Sequence, residues 1–218
     1  ILSDVLGKGD RLYVFYPSTV RPQVIQKKLS ESCREIEVTV FGRYEDFKAQ
    51  VEAQGPEAVL TKPQLLAQIK DYTPKLSGQK KNRSDEPYFL LSVVSEGGAP
   101  QPNDLPVGVV DFLGRKEMEI FAGKFLKTEV PLKRVAKIED LLPLLTFKMV
   151  GAVLVTEEQM EYLKKLSQLS LQAGPTLQGA VGIVTLAVKV DAPAHGVIQA
   201  VRELRGDVAQ LLGVETWK

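Results

Sequence analysis

Side chains that bind anions recur in this sequence directly after short runs of apolar residues. Hydroxyl groups donate hydrogen bonds to oxyanions, and an arginine guanidinium pairs with a carboxylate or phosphate through two parallel N–H bonds. Glycine allows close approach of the backbone to a ligand, because it has no Cβ. The chemistry that these residue types share is reversible binding of a small anion. The candidate ligand-binding residues are Tyr16, Ser18, Thr19, Arg43, Tyr44, Thr61, Lys62, Gly114, Arg115 and Lys116.

Each candidate also has a purely structural interpretation. Ser18 and Thr19 suit the cap of a following helix, and the cationic candidates suit a solvated surface. The tyrosines suit packing at the rim of a cleft. Their common position favours binding, because each follows a predicted strand, and ligands of open α/β sheets bind beyond the carboxyl ends of the strands.

The sequence offers little for catalysis or metal binding. A structural zinc site takes about four Cys or His ligands, whereas the chain has one cysteine, Cys33, and one histidine, His195. Cys33 falls on the apolar face of a predicted helix, which favours a buried thiol, and His195 falls in a solvent-facing first turn. Serine nucleophile elbows and Walker-type phosphate loops are missing. We therefore expect a binding protein, not an enzyme, with no metal and no cofactor.

The overall charge excludes a broad electrostatic attraction to nucleic acid or to an anionic membrane. Lys and Arg number 28 and Asp and Glu number 27, so any recognition by charge must be local. A hydrophobic content of 44% is typical of globular chains. Apolar stretches such as residues 150–155 are far shorter than the ~20 residues that cross a bilayer. We expect neither nucleic-acid binding nor membrane insertion.

Strand and helix signals alternate through the first 70 residues. Runs rich in β-branched and aromatic residues predict three strands, at 11–16, 36–41 and 58–61. A predicted helix follows each strand, beginning near Pro22, Tyr44 and Pro63. This order predicts a mainly parallel sheet with right-handed crossovers.

The chain changes character at residues 71–87, a polar and basic stretch that predicts an exposed loop. A nucleic-acid patch is the alternative, but the stretch lacks interleaved aromatic residues for stacking. A predicted strand at 88–94 comes next, and a second α/β unit follows it after a stretch rich in Gly and Pro. The later predicted strands are 107–110, 151–155 and 180–188, the clearest helices contain 118–125 and 156–166, and a final long helix begins at Asp191.

The order of these segments resembles that of the type II periplasmic solute-binding proteins, especially the phosphate and phosphonate type. Three segments carry the resemblance. Residues 107–125 look like the strand, loop and helix that open the second lobe in that family. Residues 138–155 look like the short helix, polar turn and apolar strand that follow, and Ala187–Pro193 is similar to the segment that returns to the first lobe.

The resemblance implies an α/β protein of two lobes, each a mainly parallel sheet flanked by helices. Residues 1–98 and 184–218 would form the first lobe and residues 99–183 the second, with crossovers near 95–106 and 179–185. The loop 16–19 would face the loop 112–116 across a cleft between the lobes. There the chain would bind a small anionic solute such as phosphate or a phosphonate, and a hinge would close around it.

The resemblance also implies a location and partners. The protein would be periplasmic or lipid-anchored outside the cytoplasm, and monomeric. It would deliver its ligand to a membrane transporter permease or a sensor protein. The chain begins with Ile1 and not Met, which a removed export signal or trimming would explain. A cytoplasmic effector-sensing domain of a transcription regulator is the alternative, and a transferase on the same fold is a weaker one.

Overall fold

The structure, a computed structural model, describes residues 9–94, 105–127 and 129–218. The strands are β1 (Arg11–Phe15), β2 (Glu37–Val40), β3 (Ala58–Thr61), β4 (Tyr72–Gln79), β5 (Asp85–Glu86), β6 (Tyr88–Val93), β7 (Val107–Val110), β8 (Leu132–Val135), β9 (Ala152–Thr156), β10 (Leu171–Ala173), β11 (Val181–Gly182), β12 (Thr185–Lys189) and β13 (Thr216–Trp217). The helices are α1 (Pro22–Ser32), α2 (Tyr44–Gln54), α3 (Pro63–Leu66), α4 (Arg115–Leu126), α5 (Leu141–Thr146), α6 (Glu157–Leu166), α7 (His195–Glu203) and α8 (Gly206–Leu211).

Six strands form the sheet of the first lobe, in the order β13-β4-β12-β3-β1-β2. Strand β1 pairs in parallel with β2 and β3, as the alternating order of strands and helices predicts. Strand β12 lies antiparallel between β3 and β4. The sheet is therefore mixed rather than mainly parallel, because strands from the C-terminal part of the chain complete it.

Five strands form the sheet of the second lobe, in the order β10-β6-β9-β7-β8. Strand β7 is parallel to β8 and β9, whereas β6 is antiparallel to β9. The predicted boundaries assign β6 to the first lobe, within residues 1–98, and this assignment is wrong. The apolar residues of a strand do not specify its partner, which is set by long-range contacts. The remaining lobe boundaries, 99–183 and 184–218, stay a prediction.

A two-stranded ribbon of β5 and β11, here called the hinge ribbon, lies between the two sheets along the chain. The chain leaves the first sheet after β4 and reaches the second through β5. It returns from β10 to β12 through β11. The predicted crossover at 179–185 contains β11, and the one at 95–106 falls mostly outside the described residues.

Two further elements differ from the sequence-based expectation. The polar stretch 71–87 contains β4, which pairs with β12 and β13. Only Leu76 and Gly78 of β4 are buried, and three consecutive residues, 73–75, are exposed, so its sequence looks like that of a loop. The expected final helix is two helices, α7 and α8, and Gly206 at the start of α8 has a positive φ of 57°.

One hydrophobic cluster, here called the shared core, contains side chains of both lobes. Tyr44 and Phe47 of α2 belong to it together with Phe112, Leu113 and Phe121 of the second lobe. Its aromatic rings meet edge to face, as at 5.2 Å between Phe112 and Phe121, a favourable geometry for aromatic pairs. The lobes therefore pack directly against each other along α2 and the start of α4.

Candidate ligand-binding cleft

A cleft of about 790 Å³ lies between the two lobes. The first-lobe wall consists of the loops that follow β1 and β2, together with the first turns of α1 and α2. The second-lobe wall consists of the end of β7, the turn after β8 and one side chain of α6. The polar and charged residues that line it are Tyr16, Ser18, Thr19, Arg21, Gln23, Arg43, Asp46, Lys137, Glu139 and Tyr162.

Four of the predicted site residues line this cleft: Tyr16, Ser18, Thr19 and Arg43. They meet because β1 and β2 are parallel neighbours, so that the loops at their carboxyl ends lie side by side. The contact is close, since a Cβ added at Gly42 would lie 3.2 Å from the ring of Pro22. The loops after β1 and β2 thus form one continuous surface.

The hydroxyl groups of this wall already have partners within the protein. Ser18 Oγ accepts a hydrogen bond from the Val20 amide at 3.0 Å, within the loop. The N-cap of α1 is Arg21 and no side chain caps this helix, so the capping interpretation is wrong for Ser18. Thr19 Oγ1 donates to Glu158 of the second lobe at 3.3 Å. Tyr16 donates to the Leu211 carbonyl at 2.5 Å, and burial raises the pKa of this phenol well above its usual value. The Tyr16 hydroxyl thereby joins the cleft wall to α8.

The loop after β7 does not line the cleft. Phe112 and Leu113 are buried in the shared core, and the ring of Tyr44 lies over Gly114, 3.3 Å from where a Cβ would be. The side chain of Gln68 joins the lobes here, accepting from the Tyr44 hydroxyl and donating to the Leu113 carbonyl at 3.3 Å. The expectation that loops 16–19 and 112–116 face each other across the cleft is therefore wrong.

Asp111 gives the physical reason why this second loop is unsuited to an added anion. Its carboxylate accepts hydrogen bonds from the amides of Leu113, at 3.1 Å, and Gly114, at 2.7 Å. It also forms an ion pair with Arg134. These contacts place a negative charge at the N-terminus of α4, where the helix dipole favours one. Arg115 and Lys116 follow as exposed residues of α4, outside the cleft.

Thr61 and Lys62 are buried behind the cleft and not within it. The Lys62 ammonium donates to the Gly182 carbonyl at 2.8 Å and lies 3.5 Å from a carboxylate oxygen of Glu86. Burial lowers the pKa of Lys62, and Glu86 opposes that shift. The Thr61 hydroxyl is buried without a hydrogen-bond partner among the described residues. Both partners of Lys62 belong to the hinge ribbon, so Lys62 attaches the ribbon to the first lobe.

Ion pairs join the lobes on the side of the hinge ribbon. Lys80 lies 3.9 Å from Glu158, and Lys81 lies 3.5 Å from Glu157. Between this side and the cleft remains a pocket of about 30 Å³, lined by residues that include Lys62, Glu86 and Glu158. That volume suits roughly one or two water molecules. Between the lobes, the space for a solute is therefore on the side of β2 and β8.

This chain is similar to known proteins in its fold and not in its sequence. No protein-family model matches the chain, and no curated protein matches its sequence. Solved structures do match. XAC2383 from Xanthomonas citri, bound to ATP, has a TM-score of 0.65 at 9% identity over 96% of this chain and 90% of that chain. The GluR0 ligand-binding core from Nostoc punctiforme, in complex with L-glutamate, has a TM-score of 0.58 at 10% identity over 89% and 91%. The periplasmic VFT2 domain of Bordetella pertussis BvgS has a TM-score of 0.61 at 11% identity over 94% and 92%.

The chain has the two-lobe fold of the periplasmic binding proteins. The expected two-lobe α/β fold is thereby confirmed, with mixed sheets in place of mainly parallel ones, whereas the phosphate and phosphonate subtype stays a prediction. No helix in the described part of the chain has the length and apolar character needed to cross a membrane. Among residues 9–94, 105–127 and 129–218, no three His, Cys, Asp or Glu side chains gather as a metal site requires.

Sequence reasoning missed several charged residues of the cleft within this periplasmic-binding-protein fold. Arg21 was overlooked although it directly precedes Pro22, the first residue of α1. Lys137 and Glu139 follow β8, a strand that the sequence analysis did not predict. The sequence Leu-Lys-Arg-Val does not alternate between apolar and charged residues and has only four residues, so β8 has no clear local signal.

Proposed function

We propose that the chain reversibly binds a small anionic solute in the inter-lobe cleft. The supporting observation is the charge of the cleft walls. Arg21 and Arg43 lie on the first-lobe wall and Lys137 on the second, and none of the three forms an ion pair with another described residue. Cations without a partner attract anions into a cleft. The carboxylates Asp46 and Glu139 are outnumbered there.

The proposal gives the ligand a role in joining the two walls. An anion held by Arg43 on one wall and Lys137 on the other would interact with both lobes only when they are close. It would therefore shift the equilibrium between open and closed arrangements toward the closed one. A transporter or a sensor in the membrane would then respond to the closed form, and we propose a location outside the cytoplasm and a monomeric state.

We propose binding without a chemical reaction in the cleft. His195, at the start of α7, is exposed and lies outside the residues that line the cleft. Cys33 lies beyond the end of α1 and away from the cleft, and burial raises the pKa of its thiol. A raised pKa leaves little thiolate at neutral pH and hence a weak nucleophile.

Calorimetric titration and thermal-shift measurements with phosphate, methylphosphonate, sulfate, glutamate and ATP test the proposal. A solute at 100 times its Kd raises the free energy of unfolding by about 2.7 kcal/mol, which gives a clear shift in Tm. For any solute that binds, Arg43→Gln should weaken affinity by roughly 10- to 100-fold, corresponding to the loss of a charged hydrogen bond. Arg115→Gln is the matched control, because Arg115 is exposed and outside the cleft. Equal losses in the two variants would contradict the assignment of the cleft.

A further inference from the structure

The size of the cleft bears on the kind of anion that it accepts. Its volume of about 790 Å³ compares with the ~30 Å³ that a water molecule takes up in the liquid. Phosphate or sulfate would therefore fill a small part of it. Clefts of roughly 300–1,000 Å³ typically hold organic ligands of considerable size. The volume thus favours a solute with a body in addition to its charged group.

The first-lobe wall of the cleft carries partly exposed apolar side chains, Val20, Val40 and Phe41. Phe15, Val110 and Ile138 also border the cleft but are almost fully buried. The ring of Phe41 is held by edge-to-face contacts at 5.2 Å to Tyr13 and at 5.7 Å to another phenylalanine ring. A ring fixed in this way is a preformed surface, so an apolar group that packs on it pays little entropy.

The charged groups of the first-lobe wall are concentrated at one corner. Arg21 and Arg43 are the residues that directly precede α1 and α2. They are brought close because Pro22 and Gly42, their chain neighbours, are in contact. Asp46 lies one turn further along α2 and also lines the cleft. The two guanidinium groups outnumber it at this corner.

Resting on the proposed function, we infer that the solute is an organic acid with an apolar body. Its carboxylate, or an equivalent phosphate ester group, pairs with Arg21 and Arg43. Its body lies against Phe41 and Val40 on the first-lobe wall. The inference replaces the inorganic oxyanion expected from the sequence resemblance with a larger, amphipathic anion. It also assigns the charged contact to the loops after β1 and β2, because the loop after β7 already holds the Asp111 carboxylate.

A set of matched probes tests the two parts of this inference separately. Phenylacetate and acetate share the carboxylate and differ in the body, whereas phenylacetate and phenylacetamide share the body and differ in charge. Ligand-observed NMR and calorimetry detect binding down to millimolar affinity. We expect phenylacetate to bind at least tenfold more tightly than either acetate or phenylacetamide, and more tightly than inorganic phosphate.

Substitutions test which residues cause the preference for a charged ligand and which cause the preference for an apolar body. Arg21→Gln and Arg43→Gln should reduce the preference for phenylacetate over phenylacetamide to less than threefold. Phe41→Leu should reduce the preference for phenylacetate over acetate. Arg34→Gln is the control, since Arg34 is an exposed arginine of the first lobe outside the cleft, and it should leave both ratios unchanged.

The outcomes distinguish the inference from the proposed function. If phosphate or acetate binds as tightly as phenylacetate, the apolar body is wrong and binding of a small anion still stands. If phenylacetamide equals phenylacetate, recognition by charge is wrong. If neither these probes nor the anions named above bind, both the inference and the proposed function are overturned.

Discussion

Replacing Glu86 by glutamine should destabilise the protein more than replacing its buried partner Lys62 by methionine. The Lys62 side chain is 6% exposed and that of Glu86 22%. The Lys62 ammonium has lost its water and depends on Glu86 and on the Gly182 carbonyl for compensation. Glu86→Gln keeps the ammonium buried but removes its counter-charge. Lys62→Met removes the charge itself and fills a similar volume.

The magnitudes follow from this asymmetry. Removing one partner of a fully buried ion pair costs about 3–5 kcal/mol, but Glu86 is partly exposed and glutamine keeps an acceptor oxygen. We therefore expect a loss of about 1.5–3 kcal/mol for Glu86→Gln. Lys62→Met should cost about 1 kcal/mol, the loss of the hydrogen bond to Gly182. The double variant should resemble Lys62→Met, since no buried charge then remains.

The pH dependence provides a second measurement. Burial lowers the pKa of Lys62 below its usual value of 10.5, so between the two values the unfolded chain binds more protons than the folded one. The free energy of unfolding therefore gains a contribution that rises as pH increases toward 10.5. Lys62→Met lacks this contribution, so the wild-type protein should gain stability relative to this variant at alkaline pH.

The assay is urea unfolding of the wild type, the two single variants and the double variant between pH 7 and 10. Midpoints are compared at equal m-values, so that a change in midpoint reports a change in stability. The reasoning is refuted if Lys62→Met loses more than 3 kcal/mol while Glu86→Gln is neutral. That result would mean that the ion pair outweighs its desolvation cost and that Lys62 is a net source of stability.

Three further predictions concern stability. The hydrogen-bonded Arg11 guanidinium lowers the pKa of Glu57 to about 2 from its usual 4.5. The stabilisation from this half-buried pair, about 1 kcal/mol, is therefore present above pH 4.5 and lost as pH falls through 2. In Glu57→Gln, the urea midpoint should depend less on pH over that range. Asp111→Asn should cost about 1–2 kcal/mol in urea unfolding, because it weakens the ion pair and the α4 cap, and an unchanged midpoint would contradict the capping role. Gly182→Ala should cost about 1–3 kcal/mol, because its Cβ would lie 2.1 Å from a proline ring, whereas the control Gly123→Ala, with open space inside α4, should raise Tm.

The sequence predicts the parts of this fold that depend on local pattern. Strands β1, β2 and β3 and the starts of α1, α2 and α3 follow from apolar runs and prolines at the expected positions. Strand β4 was missed because it is largely polar, contains a proline and buries only Leu76 and Gly78, which resembles a loop. The sheet to which β6 belongs depends on pairing with β9, more than 60 residues later, and no local pattern reports such a contact.

The same distinction holds for the candidate site: residues with a local signal were predicted, and residues positioned by distant contacts were not. The loop 16–19 and Arg43 were found because the carboxyl ends of strands can be located from the sequence. Lys62 was assigned wrongly to the cleft, since its partner Gly182 is 120 residues away. Asp111 offered a local signal that went unused: an aspartate three residues before a glycine at a helix start is typical of a carboxylate that caps its own chain.

The shared core has a consequence for how the molecule melts. Tyr44 and Phe112 come from different halves of the molecule yet belong to one continuous apolar cluster. Neither half keeps its full hydrophobic burial when the other is lost, so heat should disrupt them together in a single calorimetric transition. A defect introduced at Phe121 would then lower the stability of the sheet that contains β1, although Phe121 lies in the other half of the molecule.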